Sequence, residues 1–186
     1  MALIRPMAIF SASQSRKFFK LLGYDTSNPR KEGETMPLLN YTTTIEAVKT
    51  VGEIQGILAG HRAKSIKTDY SNDGQVEALS FLVLTPHGEV GIRLPIDPDA
   101  VLKVLTEQSR LGRVPKRYIN RAQAVRVAWR IVKDWVQAQM AILETEMVRM
   151  EQIFLPYIIT PGGQTVYQVM VEKHFQLGPG EGGKGD

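Results

Sequence analysis

The chain has 186 residues, of which 43% are hydrophobic and 23% are charged, and its formal net charge at pH 7 is +4. This composition is typical of one globular domain and excludes an intrinsically disordered chain, and no apolar run reaches the roughly 18 residues that a membrane-spanning helix needs. The chain has no cysteine, which excludes disulfide bonds and thiolate metal sites and favours a reducing, cytoplasmic location.

The first 35 residues are interpreted as a basic leader outside the folded domain. The codons for the Lys-Glu-Gly sequence just before Met36 can form a purine-rich ribosome-binding signal, which favours Met36 as the biological start. A genuine basic arm and an organellar transit peptide are the alternatives, because residues 1–24 contain no acidic side chain. The charged residues of this leader are Arg5, Arg16, Lys17, Lys20, Asp25, Arg30, Lys31, Glu32 and Glu34.

An amphipathic helix and three strands are predicted next along the chain. Apolar residues recur at helical spacing from Glu46 to Ala59. Residues 64–70, 75–86 and 89–96 then alternate apolar and polar side chains and are separated by turn sequences, so each is predicted to be a strand. Because the loops are too short for anything but hairpins, the three strands should form an antiparallel meander.

Two further helices are predicted after the strands. Asp97 and Pro98 are typical of a helix start, as an N-cap followed by proline at the first helical position. A basic connector follows over residues 110–118. Asn120 is then predicted to cap a long helix that extends to about Leu155, where the following proline ends it.

The C-terminal part is predicted to hold one short element and a tail. Residues 164–175 are predicted to form a short helix or strand, and residues 178–186 are predicted to be a flexible tail because they are rich in glycine. The sequence therefore predicts a single α+β domain over residues 36–177: a helix, a three-stranded antiparallel meander, a helix, and a long C-terminal helix packed on the domain.

The order of these elements resembles two nucleic-acid-binding families. Residues 46–109 follow the order helix, three strands, helix, which is also the order in double-stranded-RNA-binding domains and in the core of phage-type single-strand annealing proteins. The RNA-binding domain has lysines at the start of its last helix, where this chain has Asp97 and Asp99. The stretches MPLLNYTTT, DPDAVLKVL, RVAWRIVKDWV and FLPYI are also similar to bacterial and phage proteins without an assigned function.

The charge distribution gives the strongest functional signal. Between Gln108 and Lys133 the chain has eight basic residues and no acidic one, whereas an exposed helix usually alternates the two signs. Arg126, Arg130 and Lys133 recur at helical spacing and share a helix face with Gln123 and Gln137. We expect this face to be exposed to solvent, so that replacing its charges with glutamine changes the stability little.

This pattern predicts a non-catalytic nucleic-acid-binding protein of a bacterial, phage or mobile-element system. Tyr118 is predicted to stack on bases, and Tyr70 and Trp129 are further aromatic candidates. An exposed basic stripe that serves only solubility is the alternative reading of the same charges. The residues predicted to contact phosphate are Arg110, Arg113, Lys116, Arg117, Arg121, Arg126, Arg130 and Lys133.

The second functional hypothesis is a protein-interaction module, such as a small subunit or an inhibitor of a host complex. It would bind its partner, or itself, through methionines of the long helix: Met140, Met147 and Met150. An enzyme is not predicted, because the sequence has no combination of acid, base and nucleophile, and no cofactor or metal is expected. The three histidines have no second ligand at metal spacing. The acidic residues around the first hairpin are interpreted as turn formers.

Overall fold

A computed structural model describes residues 36–175. The predicted leader over residues 1–35 and the predicted tail over residues 178–186 lie outside the described residues. The described part contains helices and a three-stranded antiparallel sheet, which confirms the α+β class. The helices are α1 (Ala47–Gly60), α2 (Pro98–Arg110), α3 (Arg121–Glu144), α4 (Met150–Ile153) and α5 (Val166–Glu172), and the strands are β1 (Ser65–Tyr70), β2 (Val76–Thr85) and β3 (Gly88–Arg93).

The three strands form the predicted meander. The order in the sheet is β1-β2-β3, both pairings are antiparallel, and Phe81 of β2 stands opposite Ile66 and Ile92. Since side chains alternate between the two faces of a strand, these three residues share one face of the sheet. The register shifts at Asp69 and Tyr70, where β1 enters the turn.

Both predicted helix caps are present. The side chain of Asp97 accepts a hydrogen bond from the backbone N–H of Ala100 at 2.9 Å, at the start of α2. The side chain of Asn120 accepts one from the backbone N–H of Gln123 at 2.8 Å, at the start of α3. Each bond satisfies one of the amides that the first helical turn leaves unpaired, which is why α2 and α3 begin where the sequence predicts.

The long helix is shorter than predicted, because it ends at Glu144 rather than near Leu155. Thr145 is its C-cap, with a side-chain hydroxyl that donates to the carbonyl oxygen of Ile142 at 2.6 Å. Glu146 then adopts a left-handed backbone with φ of 60°, which no continuous α-helix allows. The apolar periodicity continues past this break because α4 packs its own apolar side chains on the same core.

The segment after α4 extends the sheet and then forms a helix. The backbone N–H of Ile159 donates to the carbonyl oxygen of Gly91 at 2.8 Å, so this segment lies along the free edge of β3. Thr165 then caps α5 with its hydroxyl, which accepts from the N–H of Gln168 at 3.3 Å. The short element predicted as a helix or strand is therefore a helix.

Buried side chains form two clusters that meet at α3. The main cluster joins α1, the inner face of the sheet and the middle of α3, and includes Ile54, Phe81 and Trp129. The smaller cluster joins α2, the connector and the start of α3 around Leu105 and Val114. Among the helices of residues 36–175, none is both long and apolar enough to cross a membrane.

Candidate nucleic-acid interface

Helix α3 carries four of the eight predicted basic residues, and it packs against both α1 and α2. Helix α1 packs against the middle of α3, and α2 packs against its start, next to the connector. This position divides the eight basic residues into two groups. One group lies along the groove between α1 and α3, and the other lies on the connector and at the start of α3.

The basic stripe of α3 faces α1, which corrects the prediction that it faces solvent. The side chains of Arg126, Arg130 and Lys133 are only 24%, 18% and 16% exposed. A guanidinium nitrogen of Arg126 lies 3.1 Å from a carboxylate oxygen of Glu46, and that of Arg130 lies 2.6 Å from one of Glu53. These arginines are therefore already paired with acids of the neighbouring helix.

Gln123 is buried, although the sequence places it on the exposed basic face. It is 4% exposed. Its side-chain N–H₂ donates to the carbonyl oxygens of Tyr41 and Thr43 at 2.8 and 2.9 Å, and its side-chain oxygen accepts from Arg126 at 3.0 and 3.3 Å. Gln123 thus joins the segment before α1 to α3 and also orients the arginine that pairs with Glu46.

Lys133 is held within its own helix. Its ammonium donates to the side-chain oxygen of Gln137 at 2.6 Å and lies 3.6 Å from a carboxylate oxygen of Asp134. Asp134 in turn accepts a hydrogen bond from the side chain of Asn40 at 2.7 Å. The charge of Lys133 is therefore partly compensated inside the domain, in the same way as the charges of the two arginines.

Two exposed arginines near the connector also have acidic partners. Arg110 lies 3.2 Å from Glu107 on the last turn of α2. Arg121, at the first position of α3, forms an ion pair with Asp99 on the first turn of α2. Ion pairs this exposed contribute little to stability and leave the arginines able to exchange partners. The acids of α2 nevertheless reduce the local positive charge that the sequence predicts.

Lys116 and Arg117 are exposed and form no ion pair within residues 36–175. They lie on a single turn of 3-10 helix, Lys116–Tyr118, directly before the N-cap of α3. The guanidinium carbon of Arg117 is 4.9 Å from the centre of the Tyr118 ring. This turn therefore presents two uncompensated positive charges, one of which is fixed over an aromatic ring.

The remaining connector residue, Arg113, is half-buried beside the fully buried Val114. Val114 packs with Leu105 and Ala124 in the smaller cluster. This packing fixes the connector between α2 and α3. The basic turn that follows it is therefore supported by a core and does not depend on charge alone for its position.

The three aromatic candidates lie in different environments. Trp129 is 0% exposed and belongs to the main cluster, so it cannot stack on a base. Tyr70 is exposed at the end of β1 and belongs to neither the connector nor α3. Tyr118 is half-buried, and its ring meets the ring of Tyr41 at 5.4 Å and nearly at right angles. Only Tyr118 is next to uncompensated basic residues.

A cleft of about 710 Å³ lies beside the start of α3. Arg121 and Arg126 line it, but so do the carboxylates of Glu46, Asp73 and Glu77. A phosphate inside this cleft would meet acids as well as arginines, which opposes binding of an anion there. The connector turn is therefore a better surface for a phosphate backbone than the cleft.

The histidines and the acids of the first hairpin are the residues that the sequence offers as possible metal ligands. Within residues 36–175, no group of three His, Asp or Glu side chains is arranged to hold a metal ion. His61 contacts the carbonyl oxygen of Ile57 at 2.7 Å and a carboxylate oxygen of Glu144 at 3.1 Å.

Asp73 lies in the first hairpin turn. The hydrogen bond from the Ser71 side chain lowers the pKa of Asp73, and the backbone N–H of Asp73 itself is the second cause.

The methionines predicted to bind a partner mostly fill the core. Met140 is buried in the main cluster, and Met150 packs against it. Met147 is 72% exposed, but it lies in the loop after the end of α3. Within residues 36–175, the three methionines therefore do not line one groove of the long helix, because Met140 is the one that lies on α3 and it is buried.

Comparisons of the chain with protein-family models, with curated proteins and with solved structures gave no match.

The acids that compensate the basic stripe are not among the residues predicted from the sequence. Glu46 and Glu53 precede Arg126 and Arg130 by 80 and 77 positions. A signal was present, because the two acids are seven residues apart on α1 and the two arginines are four apart on α3, so each pair lies on one helix face. Two complementary faces of this kind predict a helix–helix contact.

Proposed function

We propose that this protein binds nucleic acid through a connector surface made of Arg110, Lys116, Arg117 and Arg121, with Tyr118 beneath it. The observation that supports the proposal is that Lys116 and Arg117 are exposed on one fixed turn, with no acidic partner within residues 36–175. Such cations neutralise phosphates and release the counterions around them, and this release favours binding.

The connector surface is smaller than the sequence predicts. Arg126, Arg130 and Lys133 are half-buried, and breaking their contacts with acids and glutamines would be required before they could meet phosphate. We therefore restrict the proposed contact to the connector and the first turn of α3. A surface with two uncompensated cations should bind weakly and without sequence preference, since phosphate contacts do not read bases.

The test compares two double variants that remove the same charge. Lys116→Gln/Arg117→Gln changes the connector surface, and Lys49→Gln/Arg93→Gln changes exposed basic residues of α1 and β3. Binding of fluorescent DNA and RNA oligonucleotides is measured by anisotropy at low salt. The connector variant should bind at least about tenfold more weakly than the parent, because it loses two phosphate contacts, and the control should change less than about threefold.

Thermal unfolding of both variants verifies that neither loses its fold. Equal weakening in the two variants would show that any positive charge suffices, which contradicts a specific connector surface. Unchanged binding in the connector variant would contradict the proposed function directly.

A protein-interaction module is the second candidate, and exposed apolar area at the ends of β2 and α3 favours it. Leu84 is 71% exposed at the end of β2, beside a cleft of about 450 Å³ that Leu143 and Met150 also line. Apolar association is maintained or strengthened as salt rises, whereas phosphate binding weakens. Self-association that persists at high salt and disappears in Leu84→Thr would support this candidate.

A further inference from the structure

Arg117, Tyr118 and Tyr41 form a contact group, here called the aromatic group, at the edge of the smaller cluster. The guanidinium of Arg117 lies over the Tyr118 ring at 4.9 Å and donates to its hydroxyl at 3.3 Å. The Tyr41 ring meets the Tyr118 ring nearly at right angles, with the two ring centres 5.4 Å apart. The exposed member of the group is therefore a planar cation that lies over the Tyr118 ring, and the Tyr41 ring contacts Tyr118 in turn.

The domain fixes this group before any ligand binds. Tyr118 is half-buried and packs against the cluster of Leu105, Val114 and Ala124, and the carbonyl of Tyr41 accepts from buried Gln123. Holding a long arginine side chain in place normally costs conformational entropy when a ligand binds. Here the contact with Tyr118 orders the guanidinium in the free protein, so less of that cost remains.

A planar guanidinium of this kind suits an unpaired base. Bases stack on arginine planes and aromatic rings when they are free of a duplex, whereas bases inside a duplex already stack on each other. Lys116 is the neighbouring residue and is exposed, so it can neutralise a phosphate next to the stacked base. A single strand can use both features together, and a duplex can use only the charges.

We infer that the connector surface selects single-stranded over double-stranded nucleic acid by stacking an unpaired base on Arg117. This inference rests on the proposed function and adds the class of ligand. Tyr118 is a positioning residue in this arrangement, because it holds the guanidinium, and Lys116 supplies charge. The stack requires only an unpaired base, so DNA and RNA single strands should both bind.

The experiment uses the full chain and four probes of equal length, about 12 nucleotides. These are oligothymidylate, oligouridylate, a DNA duplex, and an abasic strand that has the same number of phosphates but no bases. The parent should bind both base-bearing strands at least about fivefold more tightly than the abasic strand, and more tightly than the duplex, whose bases already stack on each other. In Arg117→Lys, which keeps the charge and removes the plane, this preference should disappear while binding of the abasic strand stays unchanged.

The outcomes separate the two proposals. Equal, salt-sensitive binding of the abasic and base-bearing strands by the parent would overturn the stacking inference and leave the proposed function intact. A preference that survives in Arg117→Lys would also overturn it, because the plane would then be unnecessary. No binding of any probe at low salt would overturn both. Tight binding of one base-bearing strand but not the other would also overturn the inference, because stacking on Arg117 requires only an unpaired base.

Discussion

Gln123 shows how one polar side chain can be structural inside an apparently exposed basic face. It satisfies the carbonyl oxygens of Tyr41 and Thr43 and accepts from the guanidinium of Arg126. A buried carbonyl without a partner costs roughly 1–3 kcal/mol. Gln123 therefore contributes to stability through the groups it satisfies on another segment of the chain.

We predict that Gln123→Ala lowers the free energy of unfolding by about 2–3 kcal/mol, because it leaves two carbonyl groups unsatisfied and opens a small cavity. Chemical denaturation measures this loss. Gln137→Ala is the matched control on the same helix, since Gln137 is exposed and its side-chain oxygen accepts from Lys133. The control should change stability by less than about 0.5 kcal/mol. Equal effects of the two variants would show that Gln123 has no structural role.

At the scale of elements, the contact between α1 and α3 explains the basic stripe. Arg126 and Arg130 face Glu46 and Glu53 across the groove between the two helices. Glu46 is 73% exposed, whereas Arg130 and Glu53 are only 18% and 34% exposed. Removing one partner of the Arg130–Glu53 pair therefore leaves the other charge poorly solvated. The expectation that these arginines could be neutralised without loss of stability is therefore revised.

We predict that Arg130→Gln and Glu53→Gln each lower the free energy of unfolding by about 1 kcal/mol, and that the double variant loses less than the sum. The pair contributes because its two charges are 2.6 Å apart and half-buried. A double-mutant cycle by urea denaturation measures the coupling, and high salt should reduce it only partly. Strict additivity of the two single changes would contradict a direct interaction.

The outer face of α1 has two interior glycines, Gly52 and Gly56, that are exposed. A Cβ atom added at either position would meet no heavy atom within 4 Å in the described chain. Glycine in a helix interior is less favourable than alanine by roughly 0.5–1 kcal/mol, because the unfolded chain has more freedom to lose. The fold of residues 36–175 therefore gives no packing reason for these glycines.

We predict that Gly52→Ala/Gly56→Ala raises the free energy of unfolding by about 1–2 kcal/mol, as measured by thermal or chemical denaturation. Gly74→Ala is the control with the opposite expected sign, because its φ of +76° in the first hairpin turn is strained for a residue with a side chain. A loss of stability in the α1 variant would show that its outer face needs glycine.

Local sequence signals predicted most of these elements. The caps at Asp97 and Asn120 and the alternation of the strands act over a few residues, so one sequence is enough to locate them. The end of α3 was missed because Thr145 and Glu146 terminate it with little local signal. The partners of Arg126 and Arg130 lie about 80 positions away, and only the packing of α1 on α3 brings them together.

At the scale of the whole molecule, folding redistributes the charge that the sequence concentrates between residues 108 and 133. Glutamates of α1 and acids of α2 compensate basic residues on α3 and at both ends of the connector. The uncompensated remainder of this stretch is centred on the Lys116–Tyr118 turn. The sequence therefore predicts the connector and Tyr118 as part of the candidate site. It does not predict how far the site extends along α3, because that depends on the acids of α1 and α2.

The salt dependence of binding shows whether Lys116 and Arg117 contact phosphates. Phosphate contacts release counterions, so the logarithm of the association constant falls linearly with that of the salt concentration, by roughly 0.7 per contact for a single strand. We predict that Lys116→Gln/Arg117→Gln flattens the slope for a single-stranded oligonucleotide by about 1–1.5, whereas Lys49→Gln/Arg93→Gln leaves it unchanged. A slope that is identical in the parent and in the connector variant would contradict phosphate binding at this surface.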